Sequence, residues 1–250
     1  MMDLFVNLLT AHLLADFPLQ KDAWIRNKQE RRLRGFGIWK HSVVVLLTTI
    51  LALGFSEYIY LWVAIGMTII HVAIDYLKVK FTKNDPFAFA LDQILHVIVL
   101  FSMSCLITKY SDWHQWRIVP QGKELFCPLL FCGYLFCLSP ANYVIREVLK
   151  YCHVQNGAKD DDEEANESVR TSGSLIGSME RFLVLTFILM GNYEAAGLTI
   201  AAKSLLRFND NEGPRTEYVL VGTLLSITIA VVCAIVIFKF GMDVSVFKKP

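Results

Sequence analysis

Three pairs of histidine and aspartate, each spaced four residues apart, lie inside apolar stretches of the sequence. The pairs are His12–Asp16 in "HLLADFPLQ", His71–Asp75 in "HVAIDYLK" and, in reverse order, Asp92–His96 in "DQILH". This spacing places both members of a pair on one face of a helix. Ionisable groups in the middle of a membrane helix cost about 2.5–3.5 kcal/mol each when charged. The pattern therefore indicates that these groups have a function or a specific partner.

Imidazole and carboxylate groups are the usual ligands of zinc and manganese, and a helix with this spacing supplies two of them. His41, in a further apolar stretch, adds a fourth imidazole. The predicted ligands of a divalent metal ion, zinc or manganese, are His12, Asp16, His41, His71, Asp75 and His96. The set holds more ligands than one ion needs, and Lys78 follows Asp75 by about one turn. Asp92 and Lys78 are therefore the predicted catalytic residues.

The same side chains also suit two roles without a metal ion, and both stay open. In the first, they form hydrogen bonds between helices and only hold the bundle together. In the second, they form a proton relay that lines a transport path.

Membrane helices are the elements that must position these residues. The chain has 250 residues, of which 54% are hydrophobic and 19% are charged, whereas a soluble domain has about 25% charged residues. Several apolar runs approach the roughly 20 residues that cross a bilayer as a helix. We predict an all-α polytopic membrane bundle of about 7–8 membrane helices, including a short hairpin or re-entrant pair. The predicted spans are about 3–17, 36–55, 58–81, 86–108, 125–149, 174–190, 193–207 and 217–240.

Basic residues set the orientation of the predicted helices. Six of them follow the first span: Lys21, Arg26, Lys28, Arg31, Arg32 and Arg34. They place this loop in the cytoplasm, and Lys78 and Lys80 then fall on the same side. At 1.5 Å per residue, the histidines and aspartates lie roughly 7–10 Å below the cytoplasmic surface. Four helices thus contribute imidazole and carboxylate groups to one layer.

A second polar set lies in the C-terminal part of the sequence. If 174–190 and 193–207 form a hairpin around "GNYE" (191–194), Glu180 and Lys203 meet at equal depth. They then form an ion pair that offsets the burial of both charges, or they help to hold an anionic group such as a lipid phosphate. The predicted substrate-binding residues are Glu180, Arg181, Lys203, Ser204 and Arg207.

An acidic segment, "KDDDEEANE" (159–167), separates the two polar sets. We predict an N-terminal membrane bundle at 1–153, an acidic cytoplasmic linker at 154–172 and C-terminal membrane helices at 173–250. Membrane lipid is the expected partner, while a cytoplasmic protein at the linker and a homo-oligomer stay open. The net charge of +1 gives no indication of nucleic-acid binding, and no such partner is expected.

The quoted motifs also carry a family resemblance. The segments "HLLADFPLQ", "HVAIDYLK" and "DQILH" resemble the N-terminal region of a bacterial multi-pass membrane family, domain-of-unknown-function family 3307. The later "GSLIGSMERFLVLTFILMGNYEAAGLTIAAKSLLRF", followed by "EYVLVGTLLS", resembles the C-terminal part of its longer members. The resemblance implies a location in the bacterial inner membrane and supplies no reaction. A looser similarity links the chain to membrane-bound metal-dependent hydrolases, whose His-Arg-Gly stretch it lacks.

The sequence favours a membrane-embedded, metal-dependent hydrolase that acts on a lipid or lipid-linked phosphate from the cytoplasmic side. The ion would polarise the scissile group and activate a bound water. The alternative is a non-enzymatic protein that uses the same residues, either an ion- or proton-coupled transporter or a channel-like effector.

Overall fold

The computed structural model describes residues 1–31, 34–54, 58–81, 86–110, 126–152, 163–207 and 214–241. These residues form helices only, which confirms the predicted all-α class. The helices are α1 (Met2–Asp16), α2 (Asp22–Arg31), α3 (Phe36–Leu53), α4 (Tyr58–Phe81), α5 (Pro86–Tyr110), α6 (Phe126–Leu138), α7 (Pro140–Tyr151), α8 (Glu163–Leu189), α9 (Tyr193–Arg207) and α10 (Pro214–Gly241). They divide into two compact units, an N-terminal unit (Met1–Cys132) and a C-terminal unit (Gly133–Pro250).

The number of candidate membrane helices is lower than the sequence predicts. Among the described residues, four helical segments are long and apolar enough to span a bilayer: Phe36–Leu53, Tyr58–Lys80, Pro86–Tyr110 and Leu220–Gly241. Helices α6 and α7, bent by 46° at their junction, make a fifth if they form one span. The prediction of seven to eight membrane helices is therefore not supported, although these apolar helices do indicate a membrane protein.

Two of the surplus predicted spans are short. Helices α1 and α9 have 15 residues each, or about 22 Å, which is less than a hydrocarbon core of about 30 Å. Helix α8 carries Glu180 and Arg181 within its apolar half. Of the predicted linker, 154–162 lies outside the described residues, and 163–172 belongs to α8. The predicted domain boundaries remain a prediction.

Proline and glycine mark several helix ends. Helix α1 stops at Asp16, two residues before Pro18, which has no backbone N–H with which to continue the helical hydrogen bonds. Helices α5, α7 and α10 begin with Pro86, Pro140 and Pro214, since a proline in the first turn leaves no intrahelical hydrogen bond unmade. Gly191, with a φ of 73°, ends α8 in the left-handed conformation that glycine tolerates best.

The N-terminal unit has an apolar end and a polar end. Helix α1 packs against α3 and α5, α3 packs against α2 and α4, and α4 packs against α5. The apolar end is a buried cluster of Leu4, Leu8, Leu53, Tyr60, Ala64, Met67, Leu100 and Ile107. The histidines and aspartates lie at the opposite ends of the same helices. Helices α1 and α4 therefore run towards the polar end, while α3 and α5 run away from it.

Helix α2 packs on the first turn of α3. The buried Asn27 side chain accepts a hydrogen bond from the backbone N–H of Gly37 at 2.8 Å, which satisfies one of the free donors at the start of α3. A Cβ atom at Gly37 would overlap the backbone carbonyl of Trp24. Close backbone contact, which only glycine permits here, thus holds α2 against the polar end of the unit.

The C-terminal unit contains the predicted hairpin. Helices α8 and α9 pack against each other, and Asn192 caps α9 by accepting a hydrogen bond from the N–H of Ala195 at 3.0 Å. Lys203 contacts Glu180 across the hairpin. The structure therefore confirms both the hairpin around "GNYE" and its ion pair. Helix α10 packs against α7 and α8.

A Gly37→Ala substitution tests the contact between α2 and α3. The added methyl group must displace a backbone carbonyl, so we expect a loss of roughly 1–3 kcal/mol in stability, measured by thermal unfolding of the purified protein in detergent. Gly66→Ala on α4 is the matched control, because a Cβ there meets nothing within 4 Å. Equal unfolding temperatures for the two variants would contradict the proposed packing.

Candidate metal centre

Seven side chains gather at the polar end of the N-terminal unit. We call them the polar cluster: His12, Asp16, His41, His71, Asp75, Asp92 and His96. Helices α1, α3, α4 and α5 each contribute to it, as the layer in the sequence predicts. Six of the residues are at most 7% exposed, and the side chain of Asp16 is 9% exposed. The cluster therefore lies in a largely dry environment, where electrostatic interactions are strong.

Two nitrogen atoms and one oxygen atom, each from a different helix, form a compact triangle in the cluster. Nε2 of His41 lies 3.1 Å from Nε2 of His71, and Oδ1 of Asp16 lies 3.4 Å from each of these nitrogens. Four-coordinate zinc, with ligands at about 2.0–2.2 Å, holds its ligand atoms about 3.3–3.6 Å apart. The triangle thus has nearly the dimensions of one face of a zinc tetrahedron.

The orientation of these atoms also suits a metal ligand set. Oδ1 of Asp16 is buried and has no hydrogen-bond partner among the described residues, despite the two nearby nitrogens. The two Nε2 atoms form a hydrogen bond only when one of them carries a proton. When neither does, both lone pairs face the same small space. A cation in that space would satisfy all three atoms.

His96 and His12 present further nitrogens without partners. Nδ1 of His96 lies 2.9 Å from the backbone carbonyl oxygen of Asp92, which can only accept a hydrogen bond. In the neutral ring Nδ1 therefore carries the proton, and Nε2 keeps a free lone pair. This Nε2 and that of His12 are both buried and have no hydrogen-bond partner among the described residues. The rings of His12 and His96 stack with their centroids 4.9 Å apart.

Two lysines neutralise two of the three carboxylates. Nζ of Lys28 lies 2.6 Å from Oδ2 of Asp75, and Nζ of Lys78 lies 2.8 Å from Oδ2 of Asp92. Lys28 is only 6% exposed, whereas the side chain of Lys78 is 33% exposed at the edge of the cluster. Asp16 faces imidazole nitrogens instead. Its charge is the one that a bound cation would balance most directly.

Lys28 is a member of this site that the sequence pattern does not indicate. In the sequence it is only one of six basic residues that orient the chain. Gln20, the last residue of the first motif, helps to hold it. With its amide oriented to satisfy both neighbours, Gln20 accepts a hydrogen bond from Lys28 at 2.7 Å and donates one to the backbone carbonyl of Asp16 at 3.0 Å. Only the tertiary position of α2 distinguishes Lys28 from the other basic residues.

A small cavity adjoins the cluster on its apolar side. Its volume is ≈ 20 Å³, which is room for about one water molecule. The rings of His12, His71 and His96 line it together with Thr49. The other lining side chains are apolar, among them Leu8 and Met67.

The second predicted set is only partly assembled in the C-terminal unit. Arg181 is 2% exposed and donates hydrogen bonds to neutral groups: the carbonyl of Cys137 at 2.7 Å, the hydroxyls of Ser226 at 2.9 Å and Ser178 at 3.2 Å, and the side-chain oxygen of Asn142. Glu180 and Lys203 contact each other. The side chains of Ser204 and Arg207 lie outside the described residues. Substrate binding by this set remains a prediction.

Comparisons with known proteins identify a family for the N-terminal part of the chain. Residues 4–122 match the model of a family described as "Protein of unknown function (DUF3307)". This range includes every residue of the polar cluster and both lysines. No curated protein and no solved structure matches the chain.

A Lys28→Met substitution tests the charge balance of the cluster. It leaves the carboxylate of Asp75 buried without its ammonium partner, so we expect a loss of about 3–5 kcal/mol in stability, measured by denaturant-induced unfolding in detergent micelles. Arg26→Met is the control, because Arg26 is an exposed cation on the same helix. The proposed ion pair is wrong if both variants unfold at the same denaturant concentration.

Proposed function

We propose that residues 4–122, which match the DUF3307 family model, form a membrane-embedded metalloenzyme that hydrolyses the phosphate ester of a lipid or lipid-linked substrate. The observation that carries the proposal is the triangle of Asp16, His41 and His71. Two imidazoles and one carboxylate converge there at ligand-to-ligand distances suited to zinc.

Zinc fits the triangle better than manganese does. An octahedral ion with bonds of about 2.1 Å needs neighbouring ligands about 3.0 Å apart. Two of the three observed distances are 3.4 Å, which is closer to the edge of a tetrahedron. Three protein ligands also leave one tetrahedral position for water, the arrangement typical of catalytic rather than structural zinc.

The surrounding charges favour a phosphate substrate. Lys28 and Lys78 bring two ammonium groups to the cluster, and such groups bind the oxygens of a phosphate. Lys78 is the more exposed of the two, so we place the entry of the phosphate on its side. The apolar helices around the cluster suit a substrate whose hydrophobic part stays in the bilayer.

The reaction is an ordinary hydrolysis. A zinc ion held by Asp16, His41 and His71 would activate water as the nucleophile and would stabilise negative charge on the phosphate. A new bond forms between phosphorus and the water oxygen, the ester bond breaks, and a proton goes to the leaving alcohol. Asp92, predicted as catalytic, has one buried carboxylate oxygen without a hydrogen-bond partner among the described residues. In our proposal this oxygen either takes the proton from the attacking water, for later delivery to the leaving alcohol, or binds a metal ion.

The apolar end of the unit favours hydrolysis over transport. An ion or proton pathway needs polar groups or water on both sides of the cluster. Apart from the three imidazole rings and Thr49, the side chains that line the adjoining cavity are apolar, and the opposite end of the unit is the buried cluster that contains Leu4, Tyr60 and Ile107. The polar groups therefore serve chemistry at one face. In our proposal this is the cytoplasmic face of a bacterial inner membrane, as the basic residues predict.

Metal analysis of the purified protein tests the ion site. We expect about one tightly bound zinc ion per chain, because the triangle provides three ligands in a dry site. Asp16→Asn removes the charged ligand with little change in shape, and we expect this variant to lose most of the zinc. Asp3→Asn, at the other end of the same helix, should keep it. Zinc-free wild-type protein, purified without chelator and supplied with zinc, would contradict the proposal.

An activity assay on the same preparations tests the reaction. We expect phosphate release from a lipid phosphate monoester in vesicles, a loss of activity with chelator, and at least a hundredfold lower rate for Asp16→Asn than for Asp3→Asn. If the protein binds zinc but releases no phosphate, the proposed metal site stands and the proposed hydrolase activity is wrong. Wild-type proton or ion flux in sealed vesicles would then favour the transporter alternative.

A further inference from the structure

We infer that the polar cluster binds a second divalent ion between Asp75, Asp92 and His96, with the carboxylate of Asp75 shared by the two ions. This inference rests on the proposed first site at Asp16, His41 and His71. It extends the site from one ion to a two-metal centre of the kind that clamps a phosphate during hydrolysis.

The cluster contains three groups of residues whose ligand atoms all lie within 4.8 Å of one another: His12, Asp16 and His71; His41, His71 and Asp75; and Asp75, Asp92 and His96. The first two groups share His71 and contain the residues of the first site. Asp75 links the second group to the third. A carboxylate has two oxygens, so it can bind one ion with each and bridge ions about 3.5–4 Å apart. With Asp75 added to Asp16, His41 and His71, the first ion would hold its water as a fifth ligand, a coordination number that catalytic zinc adopts.

Two unpartnered atoms support the second group independently. Oδ1 of Asp92 and Nε2 of His96 are buried and have no hydrogen-bond partner among the described residues. Asp92 is 4% exposed and His96 is 3% exposed. A buried polar atom without a partner is costly, and coordination of a cation by both atoms removes that cost. The hydrogen bond from Nδ1 of His96 to the backbone of Asp92 leaves Nε2 as the coordinating atom.

The lysines make the second site weaker than the first. Lys28 contacts Asp75 and Lys78 contacts Asp92, so an incoming cation meets carboxylates that ammonium groups already neutralise. The positive charge of two divalent ions and two lysines exceeds the negative charge of three carboxylates, and a bound phosphate offsets most of this excess. The second ion should therefore bind together with phosphate. This coupling would assemble the complete centre only around a substrate.

Metal titration of the full-length protein in detergent tests the inference, with Zn²⁺ as the metal and inorganic phosphate as the anion. We expect one ion to bind tightly and a second to bind more weakly, with a higher affinity when phosphate is present. His96→Gln should retain the first ion and lose the second. Saturation of the wild type at one ion, with or without phosphate, would overturn the second site and leave the first intact.

The Lys78→Met variant distinguishes a metal-binding role of the second group from a purely structural role. Removing the competing ammonium group should tighten the second ion by about tenfold or more, while a structural role predicts no gain. Lys80→Met, an exposed cation on the same helix, is the control and should leave this affinity unchanged. Unchanged second-ion binding in Lys78→Met would overturn the inference. A wild type that binds no ion would instead reject the proposed function itself.

Discussion

The N-terminal unit is organised around one electrostatic constraint, the burial of three carboxylates at one end of an otherwise apolar helix bundle. Each buried charge costs several kcal/mol unless a partner of opposite charge offsets it. Lys28 and Lys78 supply that partner for Asp75 and Asp92. Asp16 instead faces imidazole rings, which carry a positive charge only when protonated. In our proposal, a divalent ion coordinated by Asp16 resolves this imbalance, and it also accounts for the lone pairs that converge there.

The same constraint explains the polar segment between α1 and α3. Pro18 ends α1 directly after the cluster, so the chain turns at the polar end and returns as α2. Asn27 fastens α2 to the backbone of Gly37, and this contact places the neighbouring Lys28 against Asp75. A segment that hydropathy classifies as a connecting loop is thus part of the site. It closes the cluster on the side opposite the apolar core.

Sequence periodicity predicted the polar cluster because two independent signals coincide there. Ionisable residues are costly in apolar helices, and a spacing of four residues fixes which of them share a face. Lys28 gave no such signal, since nothing in the sequence distinguishes it from the other five basic residues of its segment. Only the packing of α2 brings it to Asp75. Hydropathy also predicted more membrane helices than the described residues support. It scores apolar content, whereas the 15-residue α1 is apolar because the other helices of its unit bury it.

Arg181 illustrates the same limit in the C-terminal unit. An arginine in an apolar helix predicts an anion site, yet its donors are occupied by neutral acceptors on other helices. Ser226 lies 45 residues away along the chain. No local pattern in the sequence indicates such acceptors, because they meet Arg181 only after α6, α8 and α10 have packed. The sequence predicts the polar cluster more completely than the contacts of Arg181, because the residues of the cluster come from one motif that recurs on several helices.

X-ray absorption spectroscopy at the zinc edge tests the central claim most directly, since it reports the ligands of the bound ion. For the zinc-loaded protein, we predict nitrogen and oxygen ligands at about 2.0–2.2 Å, with the scattering pattern of at least two imidazoles. The chain also has free cysteines, including the buried Cys132 and Cys137. A sulfur shell at about 2.3 Å would place the ion on such residues and contradict the assignment to Asp16, His41 and His71.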